Sequence, residues 1–479
     1  MKKLKFSFIN LGCNKNLVDT QFLLGNIFSV AWNNPNYEID YINDPYDDNV
    51  EFVFLNTCGF ISSGRYEMFE EIDKLLNAGK KIYLLGCALQ YFESNLLGNN
   101  VILNRTKWSE ESINDNLDSS LCSEWQKELN KWEEIVKNPK IHKISRSDWN
   151  NLSIWQILTG FDSRNFWESP IFNWVRAYTS IDYGFEYLKI AEWCNNHCTF
   201  CIIPKIRWKQ KSLPIEDVVK QAEELVNNGV KEIILLAQDT NRYWLDLYGK
   251  SMLFELLENL DKIDWDFVYR VLYLYPDILT LKHLEKLKRL KKFVPYFDIP
   301  LQHINPEILK RMWRFYDKDH ILKLLDFINK NFKEKFVRTN IIVWFPWETQ
   351  DEFDELCEFL KSYHFDNVAL FEYHDEPLAE SSKLDGKVDE KEIRRRFEIL
   401  QWIINNEEWI MFAKKWKKQE YVWYIVWFEW DENDPTIVVR PRLHAPEIDE
   451  YDTIKLKDIE WVFSDTENLD IWCKIQYKK

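Results

Sequence analysis

Three short apolar runs near the start of the chain each stop at a cysteine: LKFSFINLGC at Cys13, VEFVFLNTC at Cys58 and KIYLLGC at Cys87. Apolar runs of this length read as strands buried on both faces of a parallel sheet. Helical stretches separate them, for example residues 65–78. In an open α/β sheet the C-terminal strand ends share one edge, and ligands bind along that edge. The three thiols are therefore expected to converge on one three-cysteine site. Three buried structural cysteines are the alternative, because a lone cysteine often serves as a small core residue. The matching strand ends, each with Gly or Asn beside the cysteine, favour a site.

A second group is local. Cys194, Cys198 and Cys201 form C-x3-C-x2-C within AEWCNNHCTFCIIP. Three closely spaced thiolates can hold three irons of a 4Fe–4S cluster and leave one iron open to a substrate or cofactor. Zinc is the other reading, with His197 as a fourth ligand, although paired C-x2-C spacing is commoner for zinc. Cys122, Cys357 and Cys473 lack such a context, and Cys357 is expected in the core of a helix, DEFDELCEFLKSY.

From residue 185 strands and helices alternate. FEYLKIAE leads into the cysteine loop, and a helix then begins near Pro214, carries Glu216 and Asp217 in its first turn and ends at Gly229. KEIILLAQ, VYRVLYLY, VPYFDIPL, FVRTNIIV and NVALFEY follow as strands with helical stretches between them. The fold class is α/β: six parallel β/α units make a partial barrel, with function at its C-terminal mouth. Gln238-Asp239, Gln302-His303 and Glu348-Thr349 follow strands and so face that mouth. His303 is equally readable as a satisfied structural histidine.

The remaining stretches are less informative. Residues 105–180 are polar and charged and read as an inserted linker with helical stretches such as SEWQKELNKWEEIVK. Residues 384–418 read as helical. YVWYIVWFEW, TIVVRPRL, DTIKLKDIEW and DIWCKIQY are short β runs, spaced as in a small β-barrel. Residues 415–479 hold 10 basic and 14 acidic side chains, a net of −4. The whole chain carries −16, which disfavours a general polyanion binder. No apolar run is long enough to span a membrane. The apolar part of the stretch between MKKLK and Cys13 is about five residues and contains Asn10, too short for a signal h-region of roughly 7–15 residues, so a cytoplasmic protein is expected.

These motifs carry a resemblance. LGCNKNLVDT, NTCGFI, the Cys87 GC, AEWCNNHCTFCIIPKIRWKQKS, AQDTNRYWLDLYG, YLYP, DIPLQHINPEILKRM, IIVWFPWET and RPRLHAPEIDEYD resemble the RimO-type methylthiotransferases of the radical S-adenosylmethionine (SAM) superfamily. AQDT, YLYP and APEID separate that type from the tRNA-modifying MiaB type. The resemblance implies a methylthiotransferase domain at 1–104, a linker at 105–180, a radical SAM partial barrel at 181–414 and a TRAM-like β-barrel at 415–479. It implies that Cys194, Cys198 and Cys201 hold a 4Fe–4S cluster that binds and cleaves SAM. Cys13, Cys58 and Cys87 would hold a second, sulfur-carrying 4Fe–4S cluster. By motif, Trp193, Phe200, Gln238, Trp344, Trp347 and Glu348 stand at SAM-binding positions. The implied substrate is the β-carbon of an aspartate in the small-subunit ribosomal protein S-twelve, with an electron donor as a further partner. In FEYHDEPLAESSKL, Tyr373 and Glu376 fit the family pattern, while His374, Leu378 and Ala379 depart from it. The alternatives are a MiaB-type enzyme acting on tRNA adenosine and a non-enzymatic zinc-binding interaction protein.

One discrepancy recurs. The chain has 12 glycines and 23 tryptophans, where an average composition would give roughly 34 glycines. Trp193, Trp208, Trp244, Trp344, Trp347 and Trp461 stand where the family has glycine. A tryptophan side chain, at about 150–250 Å², cannot replace glycine at so many tight places. The expectation is a gene whose UGA codons mean glycine, translated here as tryptophan. These six residues should then look crowded, flipped out or locally displaced. A protein truly rich in tryptophan is the alternative.

Overall fold

The structure is a computed structural model and describes residues 2–32, 37–97, 119–144, 176–177, 184–206, 209–363, 365–387, 389–405, 422–429, 436–449, 451–455 and 474–476.

The runs that lead to Cys13, Cys58 and Cys87 lie side by side. Strands β1 (Lys2–Asn10), β3 (Phe52–Thr57) and β4 (Lys81–Gly86) are adjacent, flanked by β2 (Tyr37–Tyr41) and β5 (Ile141–Lys143), in the parallel order β2-β1-β3-β4-β5. Every residue of β3 is buried, as expected of a central parallel strand covered on both faces. Helices α1 (Asn14–Trp32), α2 (Ser62–Asn77) and α3 (Cys87–Leu97) follow β1, β3 and β4. Helix α4 (Ser119–Ile135) and β5 lie within 105–180, the stretch read as a linker, yet β5 pairs with β4. Trp132 on α4 is buried and stacks on Phe92. A three-residue strand, IHK, is too short to register as an apolar run.

All six expected barrel strands are present. They are β6 (Phe185–Lys189), β7 (Glu232–Leu236), β8 (Val268–Val271), β9 (Tyr296–Asp298), β10 (Phe336–Val343) and β11 (Asn367–Glu372). They form two parallel sheets, β8-β7-β6 and β9-β10-β11. A bridge between Tyr269 and Phe293 links the sheets. The covering helices are α5 (Ile215–Asn227), α6 (Leu253–Asp261), α7 (Leu281–Arg289), α8 (Pro306–Arg311), α9 (Lys318–Asn331), α10 (Gln350–Ser362) and α11 (Glu390–Ile404). Helix α5 starts after Pro214 with Glu216 and Asp217 in its first turn. These acidic side chains complement the positive end of the helix. Cys357 on α10 is buried in the barrel's apolar core.

The four C-terminal β runs supply β12 (Val422–Glu429), β13 (Thr436–Pro441), β14 (Asp452–Lys455) and β15 (Lys474–Gln476). They form an antiparallel sheet in the order β14-β13-β12-β15. Among the described residues its edges do not pair with each other. The end of β13 and the segment after it seat on the barrel: Glu232, at the start of β7, accepts from both Arg270 and Arg440, all three buried. Arg270 also donates to the Leu443 carbonyl at 3.0 Å. This places the C-terminal sheet by the N-terminal ends of the barrel strands, away from the mouth. No helix among the described residues is long and apolar enough to cross a membrane.

Candidate active site

The strand order brings the first three cysteines to one edge. Cys58 follows β3 directly, Cys87 follows β4 directly and Cys13 lies three residues beyond β1. The Cys58 thiol is pushed up to about 11, chiefly by burial, and the nearby Cys87 and Cys13 thiols push the same way. Asn16 on α1 bridges the group: its Nδ2 donates to the Thr57 carbonyl at 3.2 Å and lies 3.6 Å from the Cys87 Sγ. Two glycines permit the approach. A Cβ on Gly59 would stand 2.5 Å from the Cys87 carbonyl oxygen, and Gly86 has a φ of +102° at the turn from β4 into Cys87. Among the described residues no three His, Cys, Asp or Glu side chains close up into a ready-made site for a single metal ion. A four-iron cluster is a larger body that needs separated thiols lined by small residues, and this edge offers both.

The Cys194 loop sits at the barrel mouth and is strapped from several sides. Asn196 Nδ2 donates to Asp239 Oδ2 at 2.7 Å, just beyond β7. Asn195 Oδ1 accepts from the Gln210 backbone N–H at 2.9 Å. Thr199 Oγ1 donates to the Arg311 carbonyl at 2.8 Å, at the end of α8. Burial pushes the Cys194 thiol up to about 12 and raises Cys201 as well, while Asp239 is pushed up to about 6, again by burial. Arg314 lies buried between Tyr275 and Phe200, with its guanidinium 4.4 Å from the Tyr275 ring. Thiols that hold their protons this firmly must release them to bind iron, so loading is coupled to proton release.

The two cysteine groups face one another. Ile202, next to Cys201, packs in the same apolar cluster as Cys87 and Ala88. Lys15, two residues after Cys13, lies 4.2 Å from the centre of the Tyr273 ring at the mouth end of β8, and its Nζ donates to the Ala237 carbonyl at 3.4 Å. Leu378 and Ala379, two of the departures from the family pattern, pack in that same cluster. Glu376 from this segment reaches the Cys58 side: its carboxylate accepts from the Ser62 backbone N–H at 3.1 Å and from Arg65 Nη2 at 3.0 Å. Arg65 Nη1 in turn donates to the Gly59 carbonyl at 3.2 Å. Arg65 and its other partner, Glu128 on α4, carried no signal in the sequence.

The motif positions assigned to SAM divide. Gln238 lies just beyond β7 with its Oε1 buried and without a hydrogen-bond partner among the described residues, an orphaned acceptor that suits a polar ligand. Phe200 packs against the cluster of Ile308, Met312, Ile342 and Phe345. Glu348 is engaged within the protein: its Oε1 accepts from Arg396 Nη1 at 2.7 Å and its Oε2 from the Phe345 backbone N–H at 3.2 Å. Burial nevertheless pushes its carboxyl up to about 7. His303 is wholly buried, and burial holds its imidazole down at about 3. Its Nδ1 accepts from the Asn305 backbone N–H at 3.0 Å, while its Nε2 is buried without a hydrogen-bond partner among the described residues, 3.8 Å from Glu348 Oε2, so only one side of the ring is satisfied. Trp193, Trp344 and Trp347 all have left-handed backbone, with φ of 64°, 64° and 67°. Trp347 is flipped out and 54% exposed, while Trp344 is buried beneath the Arg396 guanidinium, 3.6 Å from its ring centre. Trp208 and Trp461 lie outside the described residues.

A parallel partial barrel with three cysteines in a loop at its mouth defines a radical SAM enzyme. The model of the Radical SAM superfamily matches residues 188–360, and that of the family described as Uncharacterized protein family UPF0004 matches residues 5–104. Enzymes of this superfamily use SAM and a 4Fe–4S cluster. The chain is 37% identical over 402 residues to the ribosomal protein uS12 methylthiotransferase RimO of Dictyoglomus thermophilum, covering 83% of this chain and 81% of that protein. It is 34% identical over 447 residues to the RimO protein of Clostridium kluyveri, covering 88% and 89%. It therefore belongs to the RimO methylthiotransferase family and is a radical SAM methylthiotransferase. Among solved structures it is similar to the radical SAM methyltransferase TsrM of Kitasatospora setae, at 11% identity and a TM-score of 0.48, covering 80% of this chain and 77% of that one.

Proposed function

We propose that the chain adds a methylthio group to the β-carbon of an aspartate in ribosomal protein uS12, using two 4Fe–4S clusters. Cys194, Cys198 and Cys201 hold the cluster that binds SAM, and Cys13, Cys58 and Cys87 hold the second. The observation that carries this is the meeting of three sheet-edge cysteines across from the barrel-mouth cysteines. The clusters and SAM supply the radical chemistry and the sulfur that an unactivated C–H bond requires. The chain's own residues bind and orient. Asn196, held by Asp239, and Thr199, held by the Arg311 carbonyl, set the path of the barrel loop. Gln238 offers an acceptor into the mouth, and Ile202 packs in the same apolar cluster as Cys87. Phe200 and Glu348 support the SAM side, Glu348 acting through Arg396, and positions 193, 344 and 347 contribute their left-handed backbone there.

The domain limits that go with this assignment are an N-terminal domain that runs from residue 1 past 104 to take in α4 and β5, a partial barrel at 181–414 and a last unit at 415–479, a TRAM-like barrel built on the antiparallel sheet. The names of the RimO relatives support uS12 as the substrate, and an electron donor is required. Anaerobic reconstitution followed by incubation with SAM, a reductant and either uS12 or tRNA tests the proposal. About eight irons per chain, two cubane clusters, and a methylthio mass shift on uS12 are expected. A shift on tRNA alone overturns the substrate. Zinc bound in place of iron overturns the clusters.

A further inference from the structure

Eight described residues other than glycine have left-handed backbone: Trp193, Trp244, Tyr273, Gln302, Trp313, Trp344, Trp347 and Glu447. Five of the eight are tryptophan. With 23 tryptophans in 479 residues, an indifferent backbone would place fewer than one there. The left-handed region crowds the Cβ of any L residue, and among non-glycine residues it is Asn and Asp, not Trp, that adopt it most readily.

Local geometry says what each position demands. Helix α8 ends at Arg311, with Met312 as its C-cap. The Trp313 N–H donates to the Lys310 carbonyl at 3.0 Å and the Arg314 N–H to the Leu309 carbonyl at 2.8 Å. Those two bonds, around a residue at φ 60°, make a Schellman motif with Trp313 at the position where glycine is the usual residue. Its indole is 50% exposed. At Phe345–Glu348 the Glu348 N–H donates to the Phe345 carbonyl at 3.0 Å. Pro346 is then the second residue of the turn and Trp347, at φ 67°, the third, which is the glycine place of a type II turn. The Trp347 ring also presses on Gly386, where a built Cβ would stand 2.6 Å from it. Trp244 and Gly249 flank a single helical turn, both left-handed, at φ 69° and 66°. Trp132 is the contrast. It lies within α4 and is not left-handed. Ring packing does not separate it, because Trp132 stacks on Phe92 at 4.6 Å and Trp244, though left-handed, is buried, stacks on Tyr248 at 4.5 Å and donates from its indole to the Leu213 carbonyl at 2.6 Å.

We propose that the protein made in its own host carries glycine at 193, 244, 313, 344 and 347, through UGA codons read as glycine, and tryptophan at 132. Left-handed backbone at a tryptophan selects the set, and four of its members coincide with the family's glycine positions. It adds Trp313, and it is independent of the activity proposed above.

Two measurements decide it. The first is the gene sequence together with peptide masses of the protein isolated from its host. UGA at the five positions, UGG at 132 and a glycine mass at 313 are expected. UGG at 313 overturns the proposal, and so does UGA with a tryptophan mass. The second compares melting of the full chain as written with Trp313→Gly and Trp132→Gly. Trp313→Gly should raise Tm and Trp132→Gly should lower it. An unchanged or lower Tm for Trp313→Gly overturns the assignment at that position.

Discussion

Arg65 Nη2 stands 3.0 Å from Glu376 Oε2, an ion pair with both side chains buried. It joins α2, directly behind Cys58, to the loop that follows β11 at the barrel mouth. Arg65 Nε also meets Glu128 Oε2 at 2.8 Å, so one guanidinium compensates two buried carboxylates from different parts of the chain. Burial raises the Glu376 carboxyl, and the Arg65 charge opposes that rise.

Removing the guanidinium therefore strands two carboxylates. Arg65→Ala is expected to cost about 3–5 kcal/mol, the usual effect of breaking a buried pair on one side. Arg65→Lys should recover part of that loss. Urea unfolding midpoints measure both. Because Arg65 also holds the Gly59 carbonyl, iron bound at the Cys58 group should fall while iron at the Cys194 group is retained. Equal loss from both groups would speak against a local role.

Glu348 makes stability depend on pH. Its carboxyl is pushed up to about 7 from an ordinary 4.5. The folded chain keeps a proton that the unfolded chain gives up, so this contribution is fully present below about pH 4.5 and is lost as pH rises towards 7. The change is on the order of 3 kcal/mol at 1.36 kcal/mol per pKa unit. Glu348→Gln should flatten the decline of the unfolding free energy over that window. Asp239 and Asp366, raised to about 6 and about 7 by burial, leave a residual slope of the same sign.

The two cysteine groups should load independently. Cys58→Ala and Cys198→Ala are each expected to halve the reconstituted iron to about four per chain, one cubane cluster. The triple variant lacking Cys194, Cys198 and Cys201 should still take up iron at the other group. Loading should also proceed more readily at higher pH, because partly buried thiols such as Cys58 and Cys194, raised by desolvation, must lose their protons first. Iron content and visible absorbance across a pH series check this.

The start of α10 rests on a reciprocal cap. Thr349 Oγ1 accepts from the Glu352 N–H at 3.3 Å, while Glu352 Oε2 accepts from the Thr349 N–H at 2.7 Å. Thr349→Ala is expected to destabilise the protein by about 1 kcal/mol, measured as a lower midpoint with an unchanged urea slope.

The sequence by itself determined the parts whose signal is local. Six strand–helix alternations, the C-x3-C-x2-C loop and the four C-terminal β runs are written in apolar period and cysteine spacing, and each appears where that pattern puts it. A general rule about strand ends put Cys13, Cys58 and Cys87 on one edge of the sheet, while the adjacency of β1, β3 and β4 is a finding of the fold. Tertiary structure decided the rest. Arg65 and Glu376 are 311 residues apart, and neither residue type announces a partner at that distance. Strand β5 exists because β4 has an open edge for it, not because IHK is strongly apolar. Glu348 stands at a strand end that points to cofactor binding, yet it meets Arg396 from α11. Trp313 shows the limit most plainly. A tryptophan after a helix carries no warning in one dimension, and only the hydrogen bonds that close the end of α8 force its backbone into the left-handed region.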